Sequence, residues 1–234
     1  MTSKKNWMLR AAVLMLALVL ITSCFVGGTF AKYVTSGKGG DSARVAKFGV
    51  NVTANGTMFA KEYNTDDPNV VGTITKSVVS SDNSKLVAPG TKGDMASMTL
   101  TGTPEVAVKV TYDATGKVKL ENWTLENGNF HCPLRFKIGN TLVEGSGYTD
   151  VALLQQDIED AIKGYSKNYP AKTNLAGVGD DSLKISWEWP FETGNTPEEK
   201  AAIDEKDTYL GNQAAQDNAA TVSIEIATTV TQID

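Results

Sequence analysis

The residues that could do covalent or metal chemistry are scarce in this chain. Among its 234 residues there is one histidine, His131, and there are two cysteines, Cys24 and Cys132. Catalytic zinc usually takes at least two His or Cys ligands, and a serine or cysteine protease needs a nucleophile with a positioned histidine. Cys132 occupies an apolar-alternating position typical of a small core residue, and His131 stands at a strand start. We therefore predict no catalytic residue, no cofactor and no enzymatic activity.

A group of acidic residues offers the oxygen ligands that calcium prefers. Its members are Asp180, Asp181, Asp204, Glu205 and Asp207. They lack the spacing of an EF-hand, and acidic loops on a chain of this charge are usually solvated. We predict no metal site, and keep as calcium candidates Asp180, Asp181, Asp204 and Asp207.

Two tryptophans, Trp187 and Trp189, could form a platform that stacks on sugars. They share period two with Leu183, Ile185 and Phe191, so that all five side chains would lie on one apolar face. We therefore predict that both indoles lie in the core. A monomeric adhesin or glycan-binding surface domain remains the alternative, and solvent-exposed indoles would favour it.

The elements that position these residues are mostly strands. Period-two alternation predicts strands over 183–191, 46–52, 106–112, 132–138 and 222–226, with less regular ones over 72–79 and 95–101. Turn sequences rich in Gly, Asn and Asp separate these runs. Many short strands with one apolar face predict a mainly β fold, an antiparallel two-sheet jelly-roll-like sandwich with one or two short peripheral helices.

Two segments follow helical spacing instead. In the first, the apolar residues are Leu154, Ile158, Ala161, Ile162 and Tyr165, with Thr149 or Asp150 as the N-cap and Gly164 at the C-terminal end. In the second, Thr196 is predicted to cap the helix, Pro197 to take its first position and Glu199 to complete a capping box. We expect this second helix to have one to three turns and to end before Thr208.

Residues 1–31 have the pattern of a secretory signal peptide. Lys4, Lys5 and Arg10 precede an apolar run of about 16 residues, which is short for a transmembrane anchor. The small residues Thr29 and Ala31 predict cleavage before Lys32. In the alternative, residues 21–24 form a lipobox, and a lipid-bearing Cys24 becomes the mature N-terminus.

Cleavage before Lys32 changes the charge and the cysteine count. Residues 32–234 contain 19 basic and 27 acidic residues, a net charge of about −8, so we predict no nucleic-acid partner. Cys132 is then the only cysteine, which rules out an intramolecular disulfide. An apolar core must hold residues 43–234, which we interpret as one domain.

The new N-terminus is the most informative functional feature. Its first five residues form a short strand-forming segment, Lys32, Tyr33, Val34, Thr35 and Ser36. A flexible glycine-rich linker follows, so residues 32–42 form an arm ahead of the domain. Such an arm could fill an open sheet edge on a neighbouring copy, and a head-to-tail contact of that kind repeats into a filament. Alternatively, the arm docks on its own domain or stays disordered.

Three blocks of sequence resemble one known family. They are Gly27-Gly28-Thr29-Phe30-Ala31-Lys32-Tyr33 at the cleavage site, Pro89-Gly90, and Ser182-Leu183-Lys184-Ile185-Ser186-Trp187-Glu188-Trp189. The blocks are similar to the TasA/camelysin family of Gram-positive bacteria, whose leaders are removed by a SipW-type signal peptidase. The resemblance implies extracellular fibres built by donation of an N-terminal strand. Camelysin-like members carry a metallopeptidase label, but this chain has no His-Glu-x-x-His motif.

The sequence thus predicts a secreted structural subunit of extracellular matrix or cell-surface fibres. Its main partner would be a second copy of itself, and the resemblance adds the SipW-type peptidase and other matrix proteins of a biofilm. A camelysin-like surface metallopeptidase and the monomeric adhesin are the alternatives.

Overall fold

The computed structural model describes residues 44–54, 57–64, 76–94, 98–178 and 182–233. Several predicted features lie outside these ranges: the signal peptide, the arm over 32–36, and the residues Cys24, Thr29, Ala31, Lys32, Asp180 and Asp181. The chain divides into two units, Met1–Lys47 and Phe48–Asp234. Residues 44–47 are the described part of the first unit, and they have no regular secondary structure.

The second unit is mainly β, as predicted, and every strand pair among its described residues is antiparallel. The strands are β1 (Asn51–Ala54), β2 (Glu62–Asn64), β3 (Lys76–Val79), β4 (Lys92–Asp94), β5 (Met98–Thr101), β6 (Val108–Asp113), β7 (Val118–Glu121), β8 (Arg135–Ile138), β9 (Thr141–Glu144), β10 (Ser166–Tyr169), β11 (Ile185–Glu188), β12 (Thr221–Ile224) and β13 (Ala227–Gln232). The helices are α1 (Val151–Lys163) and α2 (Pro197–Ala214).

The largest sheet has four strands in the order β4-β11-β8-β9. The alternation predicted for β11 buries Ile185 and Trp187 on one face, and Trp187 lies opposite the buried Phe136 of β8. Such a cross-strand aromatic pair stabilises an antiparallel sheet. Leu183, which lies before β11 in the sequence, and Trp189, which follows it, are buried as predicted.

Phe191 departs from the predicted apolar face, because 68% of it is exposed. The pairing continues one residue past β11, where the Trp189 amide donates to the Thr91 carbonyl at 2.8 Å. Pro190 then has no N–H to donate, so the ladder ends there. The Phe191 ring lies over Gly90, outside the core.

A three-stranded sheet has the order β10-β6-β13, and β7 and β12 form a separate two-stranded sheet. Strands β6 and β7 run antiparallel to β13 and β12, respectively. Four residues separate β6 from β7, whereas two separate β12 from β13, so the register changes at this point. Smaller pairs, β1-β5 and β2-β3, complete the strand pairing of the described chain.

Helix α1 confirms the predicted amphipathic helix. Its buried residues are Leu154, Ile158 and Ile162, one face of the helix, and they pack over β6 to β9. The Asp150 carboxylate accepts the Ala152 amide as the N-cap, and Gly164 is the C-cap.

Helix α2 confirms the predicted start but not the predicted length. Thr196 and Glu199 form the capping box, and Pro197 is the first helical residue. The helix continues for 18 residues to Ala214, past the limit expected at Thr208. Only Asp207 and Leu210 are buried along it, so a helix with so few apolar contacts leaves little periodic signal in the sequence. Neither helix in the described part of the chain is long and apolar enough to cross a membrane.

The first predicted strand is only partly formed. Residues 44–50 have no regular secondary structure, and β1 starts at Asn51 and pairs with β5. Val50 packs against the core, but Phe48 and Val52 are about 40% exposed. The period-two pattern predicted a strand with one buried face over these residues, and this prediction was wrong. β1 pairs only with the short strand β5, so little of its apolar face is covered.

Candidate functional site

An open sheet edge lies beside a groove. Strand β12 pairs with β7 on one side, and no strand in the described ranges pairs with its other side. A groove of about 850 Å³ borders β12 and is lined by Val222 and Ile224, among other residues. Both side chains are half-buried and pack against the core, whereas Thr221 and Ser223 are exposed. An edge with unpaired backbone groups is a template for another strand.

The opposite wall of the groove is formed by residues 57–59, the end of β3 at Val79 and the loop after it as far as Val87. The Tyr63 hydroxyl accepts a hydrogen bond from the Ala60 amide at 2.9 Å and donates one to the Leu86 carbonyl at 2.8 Å. Burial raises the pKa of Tyr63, so this hydroxyl keeps its proton. The wall is therefore held in place before any ligand arrives.

Asp82 fixes the turn within the same wall. Its Oδ1 accepts hydrogen bonds from the Ser84 amide and the Ser80 hydroxyl, each at 2.9 Å. These bonds, with that from the Ser84 amide the strongest, lower the pKa of Asp82 from 3.8 to about 2. Asp82 is thus a carboxylate at neutral pH, on the surface beside the groove.

Aromatic contacts fix the start of this wall to the four-stranded sheet. The Trp187 Nε1 donates a hydrogen bond to the Met58 carbonyl at 2.7 Å, and the Phe59 ring lies 5.1 Å from the Trp187 ring. Tyr63 contacts the same indole edge-on at 6.1 Å. Trp187 is thus a core residue, as predicted, and also supports the groove.

Trp123 holds the other side of the groove at the start of β12. Its Nε1 donates a hydrogen bond to the Thr221 carbonyl at 2.7 Å. The side-chain Nδ2 of the neighbouring Asn122 donates one to the Ala219 carbonyl at 3.1 Å. The Trp123 ring packs on Trp189 at 5.6 Å. Both indoles are therefore buried, and the contacts leave the far edge of β12 open. Trp123 was not predicted as a site residue, because no apolar alternation includes it.

Asp207, which was kept as a calcium candidate, has both carboxylate oxygens bonded to other side chains. Its side chain is buried, with Oδ1 at 2.9 Å from the His131 Nε2, while Oδ2 accepts from the Trp189 Nε1 at 3.0 Å. Both oxygens are thus engaged in joining α2 to the sheets. Asp204 and Glu205 lie on the exposed part of the same helix rather than in a loop. The described residues contain no cluster of three His, Cys, Asp or Glu side chains that could hold a metal ion.

Cys132 is fully buried, as predicted for a core residue. Burial raises the pKa of its thiol from 9.0 to about 12, so the nucleophilic thiolate is scarce at neutral pH. The adjacent His131 contacts Asp207 through Nε2, and its backbone amide donates to the Trp123 carbonyl at 2.9 Å. These contacts give His131 a structural role between α2 and the strands.

Comparison with known proteins adds nothing to this geometry. No protein-family model, no curated protein and no solved structure matches the chain. We take the groove beside β12 as the candidate site, because it borders an open sheet edge within the described residues.

Proposed function

We propose that this chain is a secreted structural subunit of extracellular matrix or cell-surface fibres. In this proposal the leader is removed before Lys32, and the arm over residues 32–42 leaves its own subunit. The arm then adds a strand to the open edge of β12 in the next copy. No chemical step is involved, so the protein is not an enzyme.

The observation that carries the proposal is the open edge of β12 at the border of the groove. Four residues of β12 span about 14 Å, and the five residues 32–36 span about 17 Å when extended, so the segment is long enough to pair with the whole strand. Backbone hydrogen bonds to the edge would supply affinity, and alternate side chains of the arm would meet Val222 and Ile224.

Repetition of this contact leads to a filament. Donor and acceptor are different parts of the chain, so the contact is heterologous, and each added copy brings a new open groove. The resemblance to the TasA/camelysin family supports this mode of assembly. It also suggests a SipW-type peptidase as the processing partner, with other matrix proteins as further partners.

Electron microscopy of two purified chains tests the proposal. Residues 32–234 are expected to form filaments, whereas residues 43–234 stay monomeric. A matched pair of proline variants in the longer chain refines the test: Val34→Pro removes a donor N–H from the added strand, and Lys38→Pro alters only the linker. Filaments should be lost in the first variant and kept in the second.

A longer chain that stays monomeric at high concentration would refute strand donation. Stoichiometric zinc in the secreted protein, together with chelator-sensitive casein cleavage, would instead establish the metallopeptidase. Mass determination of the secreted N-terminus separates an arm that starts at Lys32 from a lipid-bearing Cys24.

A further inference from the structure

We infer that residues 44–48 make a second contact with the neighbouring copy, in which Phe48 packs on Val79 at the wall of the acceptor groove. This inference rests on the proposed function, because both contacts join the same two copies. It adds a specific apolar anchor outside the predicted arm.

The first observation is the exposure of an apolar segment that lies before β1. Ala46 and Phe48 share the period-two pattern of Val50 and Val52, yet residues 44–48 have no regular secondary structure. Val45 is 65% exposed and Phe48 is 42% exposed. The next residue, Gly49, is packed closely, since a Cβ on Gly102 would lie 2.1 Å from the Gly49 oxygen. The exposed apolar segment thus ends at a fixed point of the fold.

The second observation is a matching apolar residue in the groove. The large exposed hydrophobic side chains of the described chain are Val45, Phe48, Val52, Val79, Leu142, Leu153 and Phe191. Of these, only Val79 lines the groove beside β12, next to the half-buried Leu86 and Val87. The Tyr63 and Asp82 hydrogen bonds already hold this wall, so a contact there orders few new residues.

Charge favours a second copy as the occupant. Residues 32–50 contain four basic residues and one acidic residue, a net charge of +3. Residues 51–234 contain 15 basic and 26 acidic residues, a net charge of −11. The N-terminal part of one copy is therefore attracted to the body of another, which promotes the head-to-tail encounter.

Chain length permits both contacts in one groove. Seven residues separate the strand segment 32–36 from residues 44–48, and they span up to about 25 Å when extended. The first segment can therefore pair with β12 while the second lies against the opposite wall. Burial of Phe48 and Val79 together would remove two of the exposed apolar side chains from water.

Disulfide trapping between variants of residues 32–234 that each carry one introduced cysteine tests the inference. One copy carries Val79→Cys activated as a thionitrobenzoate mixed disulfide, and the other carries Phe48→Cys, so only an intermolecular bond can form. The Cys132 thiol is buried and does not compete. Activated Leu142→Cys is the matched control, since Leu142 is 58% exposed and lies on β9, away from the groove. Folding of each variant is checked by thermal unfolding.

We expect Phe48→Cys to form the disulfide with Val79→Cys at least about tenfold faster than with Leu142→Cys. A parallel reaction of Val34→Cys with activated Ser223→Cys reports on the arm itself. One outcome would overturn the inference and leave the proposed function standing. In it, Val34→Cys is trapped by Ser223→Cys, but Phe48→Cys reacts with Val79→Cys and with Leu142→Cys at equal rates. Absence of trapping in both reactions, with a monomeric chain, would overturn both.

Discussion

Strands β11 and β12 are alike in length and pattern, yet they differ in their partners. Each has four residues with apolar side chains at alternate positions. β11 lies between β4 and β8, and its Ile185 and Trp187 are fully enclosed. β12 has β7 on one side and the groove on the other. Alternation therefore specifies a strand and its inward face, whereas the number of partners depends on distant segments of the chain.

Truncation of an enclosed residue should have the largest effect and sharpen this comparison. Trp187→Ala removes the ring contacts to Phe59 and Tyr63 and the hydrogen bond to the Met58 carbonyl, so we expect it to lower the free energy of unfolding by about 4 kcal/mol. Val222→Ala in β12 removes half-buried methyl groups and should lower it by about 1 kcal/mol. Urea unfolding measures both. Equal losses would show that β12 is as fully enclosed as β11.

The link between α2 and the sheets gives the next largest effect. Asp207→Ala leaves the His131 and Trp189 donors buried without an acceptor, so a loss of about 2–3 kcal/mol is expected. Asp204→Ala, one turn earlier on the exposed side of α2, should change the stability by less than about 0.5 kcal/mol. The two variants are compared by thermal unfolding. A similar effect of both would contradict the structural role of Asp207.

Loss of the indole N–H that holds β12 should have a smaller effect. Trp123→Phe keeps an aromatic ring on Trp189 but leaves the Thr221 carbonyl without its donor, and we expect a loss of about 1 kcal/mol. The amides of β12 should exchange with solvent faster in this variant, while those of β11 remain protected. Hydrogen exchange followed by mass spectrometry separates the two strands. Faster exchange in β11 as well would mean that the strands do not open independently.

The smallest effect concerns Asp82 and depends on pH. Its folded-state pKa of about 2 is below the ordinary 3.8, so its contribution is present above pH 3.8 and is lost as the pH falls towards 2. Wild type should therefore be more stable than Asp82→Asn near pH 5, and the difference should shrink between pH 4 and pH 2. Ser80→Ala, which removes one of the donors to Asp82, should give an intermediate result. A difference that is constant with pH would contradict this assignment.

Much of the fold followed from local patterns. Helix α1 was predicted with its buried face and caps, because Leu154, Ile158 and Ile162 recur at helical spacing. The β11 region was predicted because Trp187 and its neighbours alternate without interruption. The predicted length of α2 was wrong. Ala and Glu favour a helix, but they do not form the periodic apolar pattern that indicates a buried face. The exposure of Phe191 depends on Pro190 and Gly90, which act together only in the folded chain.

The candidate site was less predictable. The arm was identified from its composition, and whether it is donated to a neighbour stays a prediction. The groove could not be predicted, because its walls come from residues 57–59, 79–87 and 214–224, which are far apart in sequence. The role of Asp207 was equally hidden, since its two donors lie 76 and 18 residues away.

The buried Cys132 has a consequence for the handling of this protein. Its thiol is inert while the core is closed, and the described chain offers no second cysteine with which it could pair. A copy that unfolds in an oxidising medium exposes this thiol, and two such copies can become cross-linked through it. The fraction of disulfide-linked dimers in a preparation would therefore report the fraction of molecules that have unfolded. A reducing agent removes these dimers and leaves non-covalent assemblies unchanged.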